Sequence, residues 1–172
     1  MVKKLKVLFV SAECSPYAST GGLGDVSAAL PKALYDSGTM VRRAIPMYAD
    51  VHGDFKYCAD FPVKMGPNYQ GCIIKHDTAQ KVPTYFIGNE YYFNRDKLYG
   101  YYDDGERFAF FCKAVIRMLE HIPFKPDIIH CNDWHTALIP LILKSINSDI
   151  KSVFTIHNLK YTGSIPMQYM EE

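Results

Sequence analysis

The sequence predicts an α/β fold with a largely parallel sheet flanked by helices, on three observations. Short runs dense in Val, Leu, Ile and Phe alternate with stretches of helical periodicity along the 172 residues. A glycine-rich turn, Thr20-Gly21-Gly22-Leu23-Gly24, joins the first such run to the first helical stretch. Polar residues gather where three of the strand-like runs end: at Glu13, from Asn132 to His135, and at His157 and Asn158.

Taken in order, Leu5 to Val10, dense in Val, Leu and Phe, reads as a buried parallel strand. From Gly22 the apolar positions Val26, Ala29, Leu30, Ala33 and Leu34 fall at helical spacing and predict one buried face. Pro31 should cost one backbone hydrogen bond and kink this helix, and Gly38 stands where a left-handed C-terminal glycine belongs. Val41 to Pro46 then reads as a second strand, closing a βαβ unit.

The middle is less regular. Gly71 to Lys75 and Val82 to Ile87 read as short strands or hairpins, and residues 89–105 as a polar, aromatic loop. Asp103 or Asp104 can cap the next helix, whose buried face is Phe108, Phe111, Cys112, Val115 and Leu119, ending near His121. "PDIIHCNDWH" is a strand running into a polar turn, "TALIPLILKS" an apolar helix, and "KSVFTIHN" a further strand ending in a polar turn.

Composition narrows the function classes. A length of 172 residues suffices for one domain with a core, and 48% apolar with 22% charged residues is ordinary for a globular protein. A net charge of +1 gives no reason to expect nucleic acid or an anionic membrane as partner. Five cysteines, an odd count without C-x-x-C spacing, point to a reduced, cytoplasmic compartment. The N-terminal apolar run is too short for a signal peptide. Thirteen Tyr and ten Phe suit sugar or base stacking, or amphipathic surfaces.

In open parallel sheets, ligands bind beyond the carboxyl ends of the strands, so the three polar clusters are the candidate site. The bare glycines Gly21 and Gly22 let a backbone approach an anion at a helix N-terminus, although a tight turn without ligand would use the same residues. A dinucleotide site fails its test: Ser27 stands where the last glycine should be, and the second strand ends without a carboxylate. A P-loop is excluded by the missing G-K-[ST], and a serine hydrolase by the missing G-x-S-x-G elbow. His130, Asp133 and His135 could be metal ligands, but no matching cluster completes a site, so no metal and no cofactor are expected. Asp133 suits a grip on a hydroxyl-rich ligand. His157 and Asn158 offer donors and acceptors to sugar hydroxyls, or form an Asx-type turn beside a solvated histidine.

Four segments, "TGGLGDVSAALPKAL", "NRDKLYGYYDDGERFAFF", "PDIIHCNDWHTALIPL" and "VFTIHNLKYTG", occur in this order and spacing. Together they closely resemble the N-terminal half of bacterial glycogen synthases and plant starch synthases. These are retaining glucosyltransferases with two Rossmann-like domains, the GT-B class, and the resemblance runs from Lys6 onward. It implies that residues 1–172 are a truncated N-terminal, acceptor-side domain. The C-terminal nucleotide-sugar domain and its E-x-x-G-G motif are not in this sequence. The implied reaction moves glucose from ADP-glucose, or UDP-glucose, to the 4-hydroxyl end of an α-1,4-glucan with retention.

The resemblance assigns roles residue by residue. Gly21 and Gly22 approach the donor phosphates, with Asp25 facing the cleft. His157 bonds the transferred glucose near its 6-hydroxyl with Asn158 beside it, and Asp133 lies on the acceptor side. Glu13 and Tyr99 lie near the sugars. The family's lysine before Thr-Gly-Gly is Ser19 here, which cannot supply its charge. The location implied is cytoplasmic, or the plastid for a plant chain. A degenerate, non-catalytic glucan-binding domain is the alternative, with Ser19 as its support.

Overall fold

The computed structural model describes residues 4–164 and 167–169. Seven strands form one mixed sheet: β1 (Lys6–Val10), β2 (Met40–Pro46), β3 (Lys56–Met65), β4 (Asn68–Asp77), β5 (Thr84–Gly88), β6 (Ile128–Asn132) and β7 (Lys151–Thr155). Their spatial order is β3-β4-β5-β2-β1-β6-β7. The five strands from β5 to β7 run parallel, and the β3-β4 hairpin adds antiparallel at one edge. The predicted class therefore holds. The hairpin strands are ten residues each, longer than the sequence suggests, and Pro62 sits on the edge strand, where its missing N–H costs no ladder bond.

Strand β1 is flanked by β2 on one side and β6 on the other. The chain thus winds outward from β1 in both directions. This is the topological switch point at which the loops after neighbouring strands part and leave a crevice.

Alternation along β1 explains the layers. Val7 and Phe9 pack with Val41 and Val82 against Leu30 and Leu34 of helix α1 (Gly22–Asp36). Leu8 and Val10 join the larger core, built with α3 (Asp104–His121) and α4 (Leu138–Ser145). Helix α3 buries Phe108, Phe111, Cys112, Val115 and Leu119 as predicted. It also buries Phe110, Ala114 and Met118, because it lies between the sheet, α4 and the loop that precedes it.

The buried face of α1 differs from the predicted one. Val26, Ala29 and Ala33 are exposed, whereas Gly24, Ser27 and Pro31 are buried, with Ala28, Leu30 and Leu34 partly so. Small residues face inward because the helix start sits against the loop after β1. Ser27 Oγ donates to Ser11 Oγ at 2.9 Å. A Cβ on Gly24 would overlap the side chain of Ser19.

The helix runs on across Pro31 to Asp36. The carbonyl that Pro31 leaves without its helical partner, that of Ser27, accepts the Cys14 thiol instead at 3.4 Å. Gly38, at φ 97°, ends the helix as predicted. Thr39 N–H bonds Leu34 O and Gly38 N–H bonds Tyr35 O, the paired bonds of a Schellman motif. Pro140 falls in the first turn of α4, where a missing N–H is harmless.

The predicted loop at 89–105 contains a short helix, α2 (Glu90–Phe93), capped by the Asn89 side chain accepting from Tyr92 N–H at 2.9 Å. Neither Asp103 nor Asp104 caps α3 with its side chain. Asp103 instead takes two bonds from Arg95, at 2.7 and 2.6 Å, and this pairing holds its carboxyl below the usual range. Asp104 accepts from Gly100 N–H at 2.6 Å and pairs with the buried Arg107 at 2.5 Å. Arginine competes for these carboxylates more strongly than a lone helix N–H does.

Candidate functional site

The crevice beside β1 collects residues from the ends of β1, β6 and β7. Glu13, three residues past β1, is 1% exposed. Its carboxylate accepts Thr20 N–H at 2.7 Å and Thr20 Oγ1 at 2.9 Å, and it also accepts the Tyr99 hydroxyl. The Thr20 and Tyr99 hydroxyls are themselves 2.5 Å apart. Burial, and then the bond to Glu13, push the Tyr99 phenol up to about 12. Tyr99 therefore stays protonated as a donor.

The glycine turn stands on this base. Gly21 occupies the N-cap of α1 in extended backbone with no side-chain cap, and both Gly21 and Gly22 are exposed with open space where a Cβ would lie. Ser19 is exposed, its Oγ donating to Gly21 O at 3.2 Å. Asp25, in the first turn, accepts from Ser15 Oγ at 3.3 Å.

At the end of β6, Asn132 is fully buried. Its Nδ2 donates to Val10 O at 3.0 Å and His130 O at 3.2 Å, so its Oδ1 faces outward and meets His157 Nε2 at 3.0 Å. An amide oxygen only accepts, so His157 Nε2 carries the proton, and in the neutral ring Nδ1 is left as an acceptor. Asp133 follows at φ 58° and ψ 177°, a conformation that strains a side-chain-bearing residue. It is held there by its own N–H on Thr155 O at 2.9 Å, and by Thr136, whose N–H and hydroxyl both bond Asp133 O. Its Oδ1 accepts His157 N–H at 2.7 Å and Asn158 N–H at 3.4 Å. Asn158 Oδ1 accepts Lys160 N–H at 2.9 Å, so the Asx-type turn foreseen for this residue is present. His157, by contrast, is anchored through its ring as well as its backbone.

The three weighed metal ligands diverge. His130 alternates to the α1 side of the sheet, edge-on to Phe9 and bonded to Thr155 Oγ1 at 2.8 Å. Burial, and then the nearby His157, lower its pKa. His135 is buried among Trp134, Phe108 and Tyr99, with neither ring nitrogen hydrogen-bonded among the described residues. Burial, and then the Arg107 charge, push it down to about 3. Asp133 binds backbone.

All nine predicted site residues lie in segments that meet at this crevice, and the Asp133 charge acts on Tyr99 across it. A cavity of about 660 Å³ between β3, α3 and α4, lined by residues such as Val63, Ile116 and Leu138, contains none of them. Two residues that the sequence reading placed in these clusters without a role prove decisive: Thr20, which joins the turn to Glu13, and Asn132, which orients His157. A signal existed for Asn132, since an amide at the end of a buried strand must find partners.

Comparison with known proteins places this geometry. The family model for the starch synthase catalytic domain matches residues 6–172. A glycogen synthase of Caldicellulosiruptor bescii is 47% identical over 96% of the chain, and one of Clostridium acetobutylicum is 49% identical over 92%. The chain spans about 37% and 36% of those two relatives. Among solved structures, the catalytic domain of starch synthase IV from Arabidopsis thaliana, bound to ADP and acarbose, superposes with a TM-score of 0.85 at 31% identity. That match covers 92% of this chain and 35% of the other. The match over nearly the whole chain, on a sheet of the same GT-B type, makes this chain a member of the starch synthase catalytic domain family, whose named relatives are glycosyltransferases.

Proposed function

We propose that this chain is the acceptor-side, N-terminal domain of an α-glucan synthase. The full-length protein transfers glucose from ADP-glucose to the 4-hydroxyl end of an α-1,4-glucan with retention, and UDP-glucose is the competing donor. The observation that carries this reading is the anchoring of His157 by Asn132 and Asp133 in the crevice that also holds the glycine turn. Its Nδ1, without a hydrogen bond among the described residues, suits a sugar hydroxyl, and Asn158 shares the anchor. The turn at Gly21 and Gly22 offers helix N-terminal N–H groups to a diphosphate leaving group, where stabilising departing negative charge is the main chemical demand. Asp25 borders that turn, and Asp133 and Tyr99 line the acceptor side. The ADP and acarbose of the solved relative are a nucleotide and an oligosaccharide mimic of the kind this reading requires.

The test is glucose incorporation into glycogen by the full-length protein, with ADP-glucose and UDP-glucose in competition, beside His157→Ala. Transfer from ADP-glucose that falls at least about a hundredfold in the variant is expected for loss of a group acting on the reacting sugar. The 172-residue segment alone is expected to transfer none. Ser19 favours a second reading, a glucan-binding domain without transfer. Glucan binding by the full-length protein with no incorporation from either donor would establish it.

A further inference from the structure

We propose that Glu13 is a positioning residue that couples the donor-side glycine turn to the acceptor-side tyrosine loop. This rests on the glucan synthase reading above, but assigns Glu13 a different role from the sugar contact that the family resemblance implies.

The carboxylate is 1% exposed and already holds three donors: the Thr20 N–H, the Thr20 hydroxyl and the Tyr99 hydroxyl. Thr20 directly precedes Gly21 and Gly22, so its backbone sets where the turn's N–H groups point. Tyr99 sits on a loop that is clamped from its far side. Arg95 binds Asp103 through two bonds, Asp104 takes the N–H groups of Gly100 and Tyr101, and the buried Arg107 donates to Leu98 O at 3.2 Å. A loop clamped in this way transmits displacement to its remaining contact rather than absorbing it. That contact is the Glu13 carboxylate, on which the Tyr99 hydroxyl meets the Thr20 donors, the two hydroxyl oxygens lying 2.5 Å apart.

A carboxylate occupied by three protein donors acts as a strut between two binding elements. Moving Tyr99 on glucan binding shifts a donor that Glu13 holds beside those of Thr20, and so shifts the turn. Gln at this position would put an NH₂ against the Thr20 or Tyr99 donors and break the link between them.

The experiment uses the full-length enzyme. Glu13→Gln, with folding confirmed by its melting temperature, is expected to raise KM for both ADP-glucose and glucan, each by about fivefold or more. A cycle of Thr20→Val and Tyr99→Phe is expected to be non-additive in kcat/KM by about fivefold or more, and to become additive in the Glu13→Gln background. Should Glu13→Gln fail to fold, the Thr20→Val and Tyr99→Phe cycle decides alone. A rise in the glucan KM alone, or an additive cycle with Glu13 in place, would overturn the coupling and make Glu13 a direct acceptor contact. If the wild-type protein transfers no glucose, the functional reading is what has failed. The same cycle, read as Kd for ADP and for maltoheptaose by calorimetry, then decides the coupling by the same criterion.

Discussion

The Asn132 side chain holds the His157 ring at 3.0 Å while its own amide nitrogen is spent on two carbonyls, Val10 O and His130 O. This arrangement puts the ring proton on Nε2 and leaves Nδ1 without a hydrogen bond among the described residues. Asn132→Ala should release the ring and remove two buried side-chain hydrogen bonds, at a cost of about 1–3 kcal/mol in stability. In the full-length enzyme kcat/KM should fall by about tenfold or more, since the imidazole is no longer held in position. Nitrogen NMR of the free protein provides the check: Nε2 protonated in the wild type, and a tautomer mixture in the variant. An unchanged tautomer in Asn132→Ala would show that Asn132 does not select it.

Ser19 is exposed at the edge of the glycine turn, and a longer side chain has room to leave its surface. Ser19→Lys should add a cation beside the donor phosphates and raise kcat/KM for ADP-glucose by about tenfold, the scale of one charge-assisted bond. Steady-state kinetics at low and high salt give the measurement. A value equal to or below that of the wild type refutes the expectation.

His135 links stability to pH. Its folded pKa lies near 3, below the ordinary value of 6.5, so below 6.5 the unfolded chain binds a proton that the folded chain refuses. Stability from this residue is therefore fully present above pH 6.5 and is lost as pH falls from 6.5 toward 3. At pH 5 the loss amounts to about 2 kcal/mol. Urea unfolding at pH 7.5 and 5 should show this loss in the wild type and a smaller one in His135→Leu, which has nothing to protonate. Equal losses in both proteins would assign the effect to other groups.

Arg107 is fully buried and joins Asp104, Tyr92 O and Leu98 O. Arg107→Met keeps the bulk and removes the donors, so it should destabilise by about 3–5 kcal/mol, the cost of breaking a buried pair from one side. Denaturant titration checks the magnitude. Protease sensitivity rising first within residues 94–103 would locate the loss in the Tyr99 loop.

Much of the fold was legible because local pattern and global burial agree in the parallel strands. Val7 to Val10 is apolar on both faces because helices cover both, and a run of that kind has few other uses. The face of α1 was misread for the opposite reason. Val26, Ala29 and Ala33 face outward although they fall on the apolar stripe with Leu30 and Leu34, while a close approach to the loop after β1 puts Gly24 and Ser27 inward. Periodicity weighs hydrophobicity, and here the deciding quantity was the distance between backbones.

The candidate site divides along the same line. The sequence alone determined which segments would meet, since strand-end polar residues in a parallel sheet must share one rim, and it determined the family through four motifs in fixed order. Only the tertiary structure decided what each side chain does there. Glu13, Thr20 and Tyr99 are separated by up to 86 residues and Asn132 from His157 by 25, so their pairing depends on strand order and loop path. Hydrogen bonds are short-ranged and directional, and a linear pattern of residue types carries no information about which donors come within 3 Å of which acceptors.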